Sequence, residues 1–94
     1  MRVEWTTQAT VTLYEILDYI AADSPSAAIT VSRAIREQAG QLAEFPQIGR
    51  VGRVRGSREL VVSGTPYVLA YRVEAEAVVI VRILHGAQRW PRKL

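Results

Sequence analysis

The spacing of the hydrophobic positions changes near the middle of the chain. Up to Pro46 they recur three or four residues apart, and from Arg58 onward they alternate. Val3 to Trp5 reads as a short opening strand. Thr6 or Thr7 can then offer a side-chain oxygen to a free backbone N–H and so start a helix. Leu13, Ile16, Leu17 and Ile20 make one apolar stripe at helical spacing, with Glu15 and Asp18 off it. That helix should fade near Ala22 and Asp23. Ser24-Pro25 begins another, with serine as the cap and proline at the first helical position, where no N–H is needed. Ala28, Val31, Ile35, Ala39 and Leu42 share the apolar face of this second helix. Gly40 weakens it locally and Pro46 ends it. So short a connection predicts two antiparallel, neighbouring helices.

Gln47 to Gly56 reads as a loop in which Gly49, Gly52 and Gly56 interleave with Arg50, Arg53 and Arg55. Beyond it the period is two, with β-branched residues prominent. Arg58 to Ser63 is one predicted strand, and Gly64-Thr65-Pro66 a turn. Tyr67 to Val73 is the next strand, with Tyr67, Leu69, Tyr71 and Val73 on one face. Val78 to His85 is the last, apolar enough to be central in a sheet. Strict alternation groups Arg82 with Val78, Ile80 and Leu84. Gly86 closes that strand and Pro91 limits any further one. The predicted order is β-α-α-β-β-β, an antiparallel helical hairpin packed on one face of a small, mostly antiparallel sheet. This is an α+β architecture in a single domain over residues 1–94, with no internal repeat, low-complexity tract or linker.

Composition narrows the chemistry. With 94 residues, 49% of them apolar, the chain can build one core. The absence of cysteine removes disulfides, thiolate metal sites and cysteine nucleophiles, and fits a reducing cytoplasm. A single histidine, His85, excludes a site built from several imidazoles, and neither metal nor cofactor is expected. Met1-Arg2-Val3-Glu4-Trp5 lacks the apolar stretch of a signal peptide, and no apolar run approaches the roughly 20 residues that span a bilayer. A cytoplasmic location without membrane contact is the expectation. The net charge of +3 is unevenly placed: residues 1–47 carry three basic and six acidic side chains, residues 48–94 nine basic and three acidic. The second half therefore favours an anionic partner, either nucleic acid or an acidic protein segment.

Arg50, Arg53, Arg55, Arg58, Arg72 and Arg82 carry that charge on the loop and strands. The guanidinium fork suits phosphate and carboxylate alike, and glycines beside the loop arginines let backbone N–H groups approach an anion. The plainer reading of Arg50, Arg53 and Arg55 is a set of solvated loop charges. Arg72 and Arg82 sit inside apolar strands, where an unpaired guanidinium is costly to bury. Either their face meets solvent or a carboxylate such as Glu59 pairs with them. His85 can act as a general acid or base near neutral pH, or can simply cap the sheet or pair with Glu59. Trp90, in the basic tail Trp90-Pro91-Arg92-Lys93, can stack on a base or pack back on the domain edge. No Gly-x-Ser-x-Gly elbow is present, and nothing sets Ser57 or Ser63 against His85 as a hydrolase would.

Several strings, in order, resemble the RelE/ParE toxin superfamily. They are Trp5 with Ala9; Leu13, Ile16 and Tyr19-Ile20-Ala21; Pro46 with Gly49-Arg50; Arg58-Glu59-Leu60-Val61-Val62; and Pro66-Tyr67-Val68-Leu69-Ala70-Tyr71-Arg72. The last is Val81-Arg82-Ile83-Leu84-His85-Gly86-Ala87-Gln88-Arg89-Trp90-Pro91. The resemblance covers nearly the whole chain. It implies the toxin of a type II toxin–antitoxin pair, neutralised by a cognate antitoxin whose flexible C-terminal segment wraps it in a hetero-oligomer. Members of the RelE kind cleave messenger RNA at the ribosome. There His85 would carry the proton and Arg82 would stabilise the phosphorane-like charge. Members of the ParE kind inhibit DNA gyrase and are binding proteins, not enzymes. The chain has no tyrosine after Tyr71, and its Leu84-His85 ending looks more like ParE, so gyrase inhibition is favoured over RNA cleavage. Under either reading Arg50, Arg58, Arg72, Arg82 and Trp90 are the candidate contacts to target or antitoxin. A non-toxic nucleic-acid-binding module is the third reading, although the chain carries no helix-turn-helix signal, RNA-recognition aromatic motif or zinc site.

Overall fold

The computed structural model describes residues 1–94. Strand β1 (Arg2–Trp5) ends at Thr6, which caps helix α1 (Thr7–Asp23). The Thr6 hydroxyl accepts from the Ala9 N–H at 3.1 Å and donates to the Val81 carbonyl at 2.8 Å, so the start of the helix is tied to the last strand. Ser24 alone separates α1 from helix α2 (Pro25–Gly40). Its N–H closes the first helix on the Ile20 carbonyl, and its Oγ opens the second by accepting from the Ala27 N–H. Helix α2 passes through Gly40 into a 3₁₀ turn, Gln41–Ala43, which delivers Leu42 to the core.

Four strands follow: β2 (Arg50–Val51), β3 (Arg58–Val61), β4 (Tyr67–Val73) and β5 (Ala77–His85). The sheet order is β1-β5-β4-β3-β2, parallel between β1 and β5 and antiparallel elsewhere. The fold is thus the expected α+β arrangement of a helical hairpin on a mostly antiparallel sheet. Leu13, Ile35, Ala39 and Leu42 from the helical layer meet Leu69, Tyr71, Ile80 and Ile83 from the sheet, while Ile16, Leu17 and Val31 pack at the margin. Of the two helical stripes read from the sequence, Leu13, Ala28, Ile35, Ala39 and Leu42 are buried, and Ile20 lies outside the core cluster. No helix is long and apolar enough to cross a membrane.

Three details differ from the sequence reading. The expected loop contains a two-residue strand, β2, because Arg50 and Val51 pair with Glu59 and Arg58. Strand β3 stops at Val61, two residues early: the Gln38 side-chain amide takes both backbone groups of Ser63, at 2.8 and 3.1 Å, in place of a neighbouring strand. The third difference decides where functional groups point. Ala70 pairs with Arg82 but Tyr71 pairs with Ile80, so Val81 is an extra, bulged residue. The bulge shifts the alternation by one. Val78 and Ile80 face the helices, as expected for a core strand, whereas Arg82 and Leu84 turn to the opposite face. Arg82 therefore does not share a face with Val78 and Ile80.

Candidate functional site

Directly paired residues in neighbouring strands share a face, so the register maps the side of the sheet turned away from the helices. One row across it is Arg50, Glu59, Ala70 and Arg82. A second holds Arg72 opposite Val79 and Glu4, and a third holds Val61, Val68 and Leu84. No helix covers this face. After His85 the chain folds back, the Gly86 N–H donating to the Pro66 carbonyl at 2.8 Å. Val68, Ala70 and Leu84 are nevertheless no more than 3% exposed.

Glu59 is the hub of the site. Its side chain is 1% exposed. Arg50 donates to Oε1 through Nε at 3.0 Å and Nη2 at 2.8 Å, the Arg53 backbone N–H donates to Oε2 at 2.8 Å, and the Arg53 Nε lies 3.5 Å from Oε1. Burial by itself would push the Glu59 carboxyl up. The Arg53 amide and the two guanidinium charges outweigh it and hold the group below the ordinary carboxylate range. Glu59 was expected to partner Arg72, Arg82 or His85 if it partnered anything. Its oxygens go to Arg50 and Arg53 instead, because β2 brings Arg50 directly opposite it.

Tyr71 anchors the same end from the core side. Its hydroxyl donates to the Pro46 carbonyl at 2.8 Å and accepts from the Gly49 N–H at 3.0 Å. Burial raises its pKa, against the opposing pull of the Gly49 amide and the Arg58 charge. Gly49 is glycine because space demands it: a Cβ there would lie 2.6 Å from that hydroxyl and 2.7 Å from the Glu59 carbonyl oxygen. Arg58, on the helix-facing side, donates to the Gly49 carbonyl at 2.7 Å and more weakly to that of Gln47 at 3.4 Å. Ser57 is buried and closes the loop by donating to the Val54 carbonyl at 2.6 Å.

The structure thus brings Arg50, Arg53, Arg72 and Arg82 to the outer face and leaves Arg58 and His85 on the other. His85 pairs with Tyr67, and the two rings meet edge to face with centroids 5.9 Å apart. Its Nδ1 accepts from the Ala87 N–H at 3.1 Å. Arg82 has no carboxylate within ion-pair distance, and Arg72 touches only the Arg55 carbonyl, at 3.4 Å. Trp90 packs back on the domain. The Arg53 guanidinium carbon sits 3.7 Å from its ring centroid, and its indole Nε1 is buried without a hydrogen-bond partner. Glu59 and Tyr71 were not among the site residues read from sequence. The signal for Glu59 was available: it is the lone carboxylate from Arg50 to Glu59, a stretch with four arginines.

With this geometry in hand, comparison with known proteins is informative. Residues 3–90 match the family model described as ParE toxin of the type II toxin–antitoxin system parDE. The Sinorhizobium fredii protein Y4kP is 41% identical over 93 residues, covering 99% of this chain and 96% of its own. Toxin RelE2 of Caulobacter vibrioides is 42% identical over 87 residues, covering 93% of this chain and 97% of its own. A chain in the solved structure of the chromosomal ParDE TA system from P. aeruginosa superposes with a TM-score of 0.80 at 30% identity, covering 90% of this chain and 95% of that one.

Proposed function

The chain belongs to the family of ParE toxins of type II toxin–antitoxin systems, and from that premise we propose that it arrests growth by binding and inhibiting DNA gyrase. The observation that carries this choice of target is the separation of Arg82 from His85. The two are three residues apart on one strand with no bulge between them, so they leave the sheet on opposite faces. General acid–base cleavage of RNA needs a proton carrier and a charge-stabilising group converging on one phosphate. Here His85 is engaged with Tyr67 and the Ala87 amide, and Arg82 lies on the far side of the sheet. A binding inhibitor has no such requirement.

The partner of a type II toxin is a cognate antitoxin. In our reading its flexible C-terminal segment wraps the toxin in a cytoplasmic hetero-oligomer and buries apolar area on the helical hairpin. A groove of about 620 Å³ runs between the helices, floored by Leu17, Ala21, Ala28 and Ile29, and Tyr19 stands 80% exposed on the same layer.

The test compares two assays with one purified protein. Inhibition of gyrase supercoiling that survives His85→Ala, with no cleavage of ribosome-bound messenger RNA, is the expected result. Ribosome-dependent cleavage that His85→Ala abolishes would replace this reading with that of an RNA-cutting enzyme.

A further inference from the structure

We propose that the outer face of the sheet, around Arg72 and Arg82, is a contact surface for the phosphate backbone of duplex DNA. The inference rests on the gyrase reading in one respect, the choice of DNA over RNA.

Charge balance on that face is the first observation. Its two β-strand carboxylates are already engaged, Glu4 with Arg2 at 3.1 Å and Glu59 with Arg50 at 2.8 Å. The turn carboxylates Glu74 and Glu76 border it only at the Glu4 end, so arginines still outnumber carboxylates around Arg82. Arg72 and Arg82 have no carboxylate within ion-pair distance and are only partly buried. Spacing is the second. Arg82 pairs with Ala70, so Arg72 is its diagonal neighbour on the adjacent strand, about 7–8 Å away at the backbone. That is comparable with the separation of neighbouring phosphates along a nucleic-acid strand. The Arg55 carbonyl accepts from Arg72 at 3.4 Å and ties that arginine to the loop.

The third observation decides between a polynucleotide and an acidic peptide. Peptide recognition is anchored by apolar side chains entering uncovered pockets. On this face Val68, Ala70 and Leu84 are already covered and Val61 alone of that row is exposed, while Tyr14, Tyr19 and Ile29 form the larger exposed apolar set on the helices. The sheet face offers a partner charge and little else, which matches a backbone bound through counterion release. The bulge at Val81 puts Arg82 there, and the Thr6 hydroxyl holds the bulge by its carbonyl.

The experiment titrates the purified chain into a short fluorescein-labelled DNA duplex and follows anisotropy over a range of salt. Binding should weaken linearly in log K against log salt, and R72A/R82A should reduce the slope by about 2, one contact for each arginine. R72K/R82K should recover most of the slope, which a merely misfolded alanine variant could not explain. The proposal is overturned if the wild type shows no salt-dependent binding, if the alanine variant keeps the full slope, or if labelled poly-glutamate binds where the duplex does not. Supercoiling assays separate this from the target reading. A full duplex-binding slope in R72A/R82A, with gyrase still inhibited, overturns the DNA surface and leaves gyrase as target. Duplex binding without any effect on gyrase supports the surface and overturns the target.

Discussion

The helical layer and the arginine-bearing end of the sheet belong to one fold but are held by different forces. Leu13, Ile35, Ala39 and Leu42 join the helices to the sheet by apolar contact, with the Thr6 cap as one directional tie. At the other end, loop 46–57 is held by Tyr71, Arg58, Glu59 and Ser57 through hydrogen bonds and ion pairs, and Val54 is its one buried apolar side chain. Apolar burial is non-directional and indifferent to protonation. Charged hydrogen bonds demand geometry and answer to pH. The part of the molecule that presents its charge is therefore also the part whose stability solution conditions can tune.

The sharpest way to break this contrast is Ile35→Ala, fully buried between the layers. It should cost about 3 kcal/mol, the lost apolar burial plus the cavity left behind. Urea denaturation should return the same loss at neutral and mildly acid pH; a loss that varied with pH would mean the helical layer is coupled to ionisation after all. Gly49→Ala attacks the other end by sterics, because the Glu59 carbonyl oxygen, 2.7 Å from the added Cβ, belongs to a paired strand and has little room to move. About 2–3 kcal/mol is expected from such overpacking. Equal stability of this variant and the wild type would show that the loop is not pinned as described.

Glu59→Gln comes next, at about 2 kcal/mol near neutral pH, below the usual cost of breaking a buried pair because Arg50 and Arg53 can turn to water. Its pH dependence has a definite sign. The folded carboxyl titrates below its ordinary value of about 4.5, so the ion-pair contribution is complete above that pH and is lost as pH falls through the lowered pKa. Wild type and variant should converge in stability on acidification. A gap that stayed constant down to strongly acid pH would assign the stabilisation to packing and not to charge.

Much of the fold was legible because it is local. Both helical stripes, the Ser24-Pro25 restart and the Gly64-Thr65-Pro66 turn are short-range patterns, and each fixes its element without knowledge of the rest. The site was less legible because its decisive features are long-range. The bulge at Val81 is stabilised by Thr6, 75 residues away in sequence, and nothing in the alternation of β5 announces it. That one residue moves Arg82 off the face that strict alternation assigns to it. The arginines themselves were conspicuous, and so was their excess over carboxylates. Which of them Glu59 would take could be read only once β2, two residues long, was known to lie beside β3.

The smallest expected effect tests how the tail belongs to the arginine end. Arg53 lies over Trp90 while its Nε stands 3.5 Å from Glu59, so a simple Arg53→Ala substitution would mix a cation–π contact with an ion pair. A double-mutant cycle of Arg53→Ala with Trp90→Leu isolates the ring contact, and its coupling energy should be about 0.5–1 kcal/mol, typical of a partly exposed cation–π pair. Running the cycle again in a Glu59→Gln background shows whether the carboxylate orients the guanidinium. If it does, the coupling shrinks there, since Arg53 loses the anion that aims it across the indole. An unchanged coupling would make the tail's hold on the sheet independent of Glu59, and the arginine end would then be two separate attachments in place of one polar network.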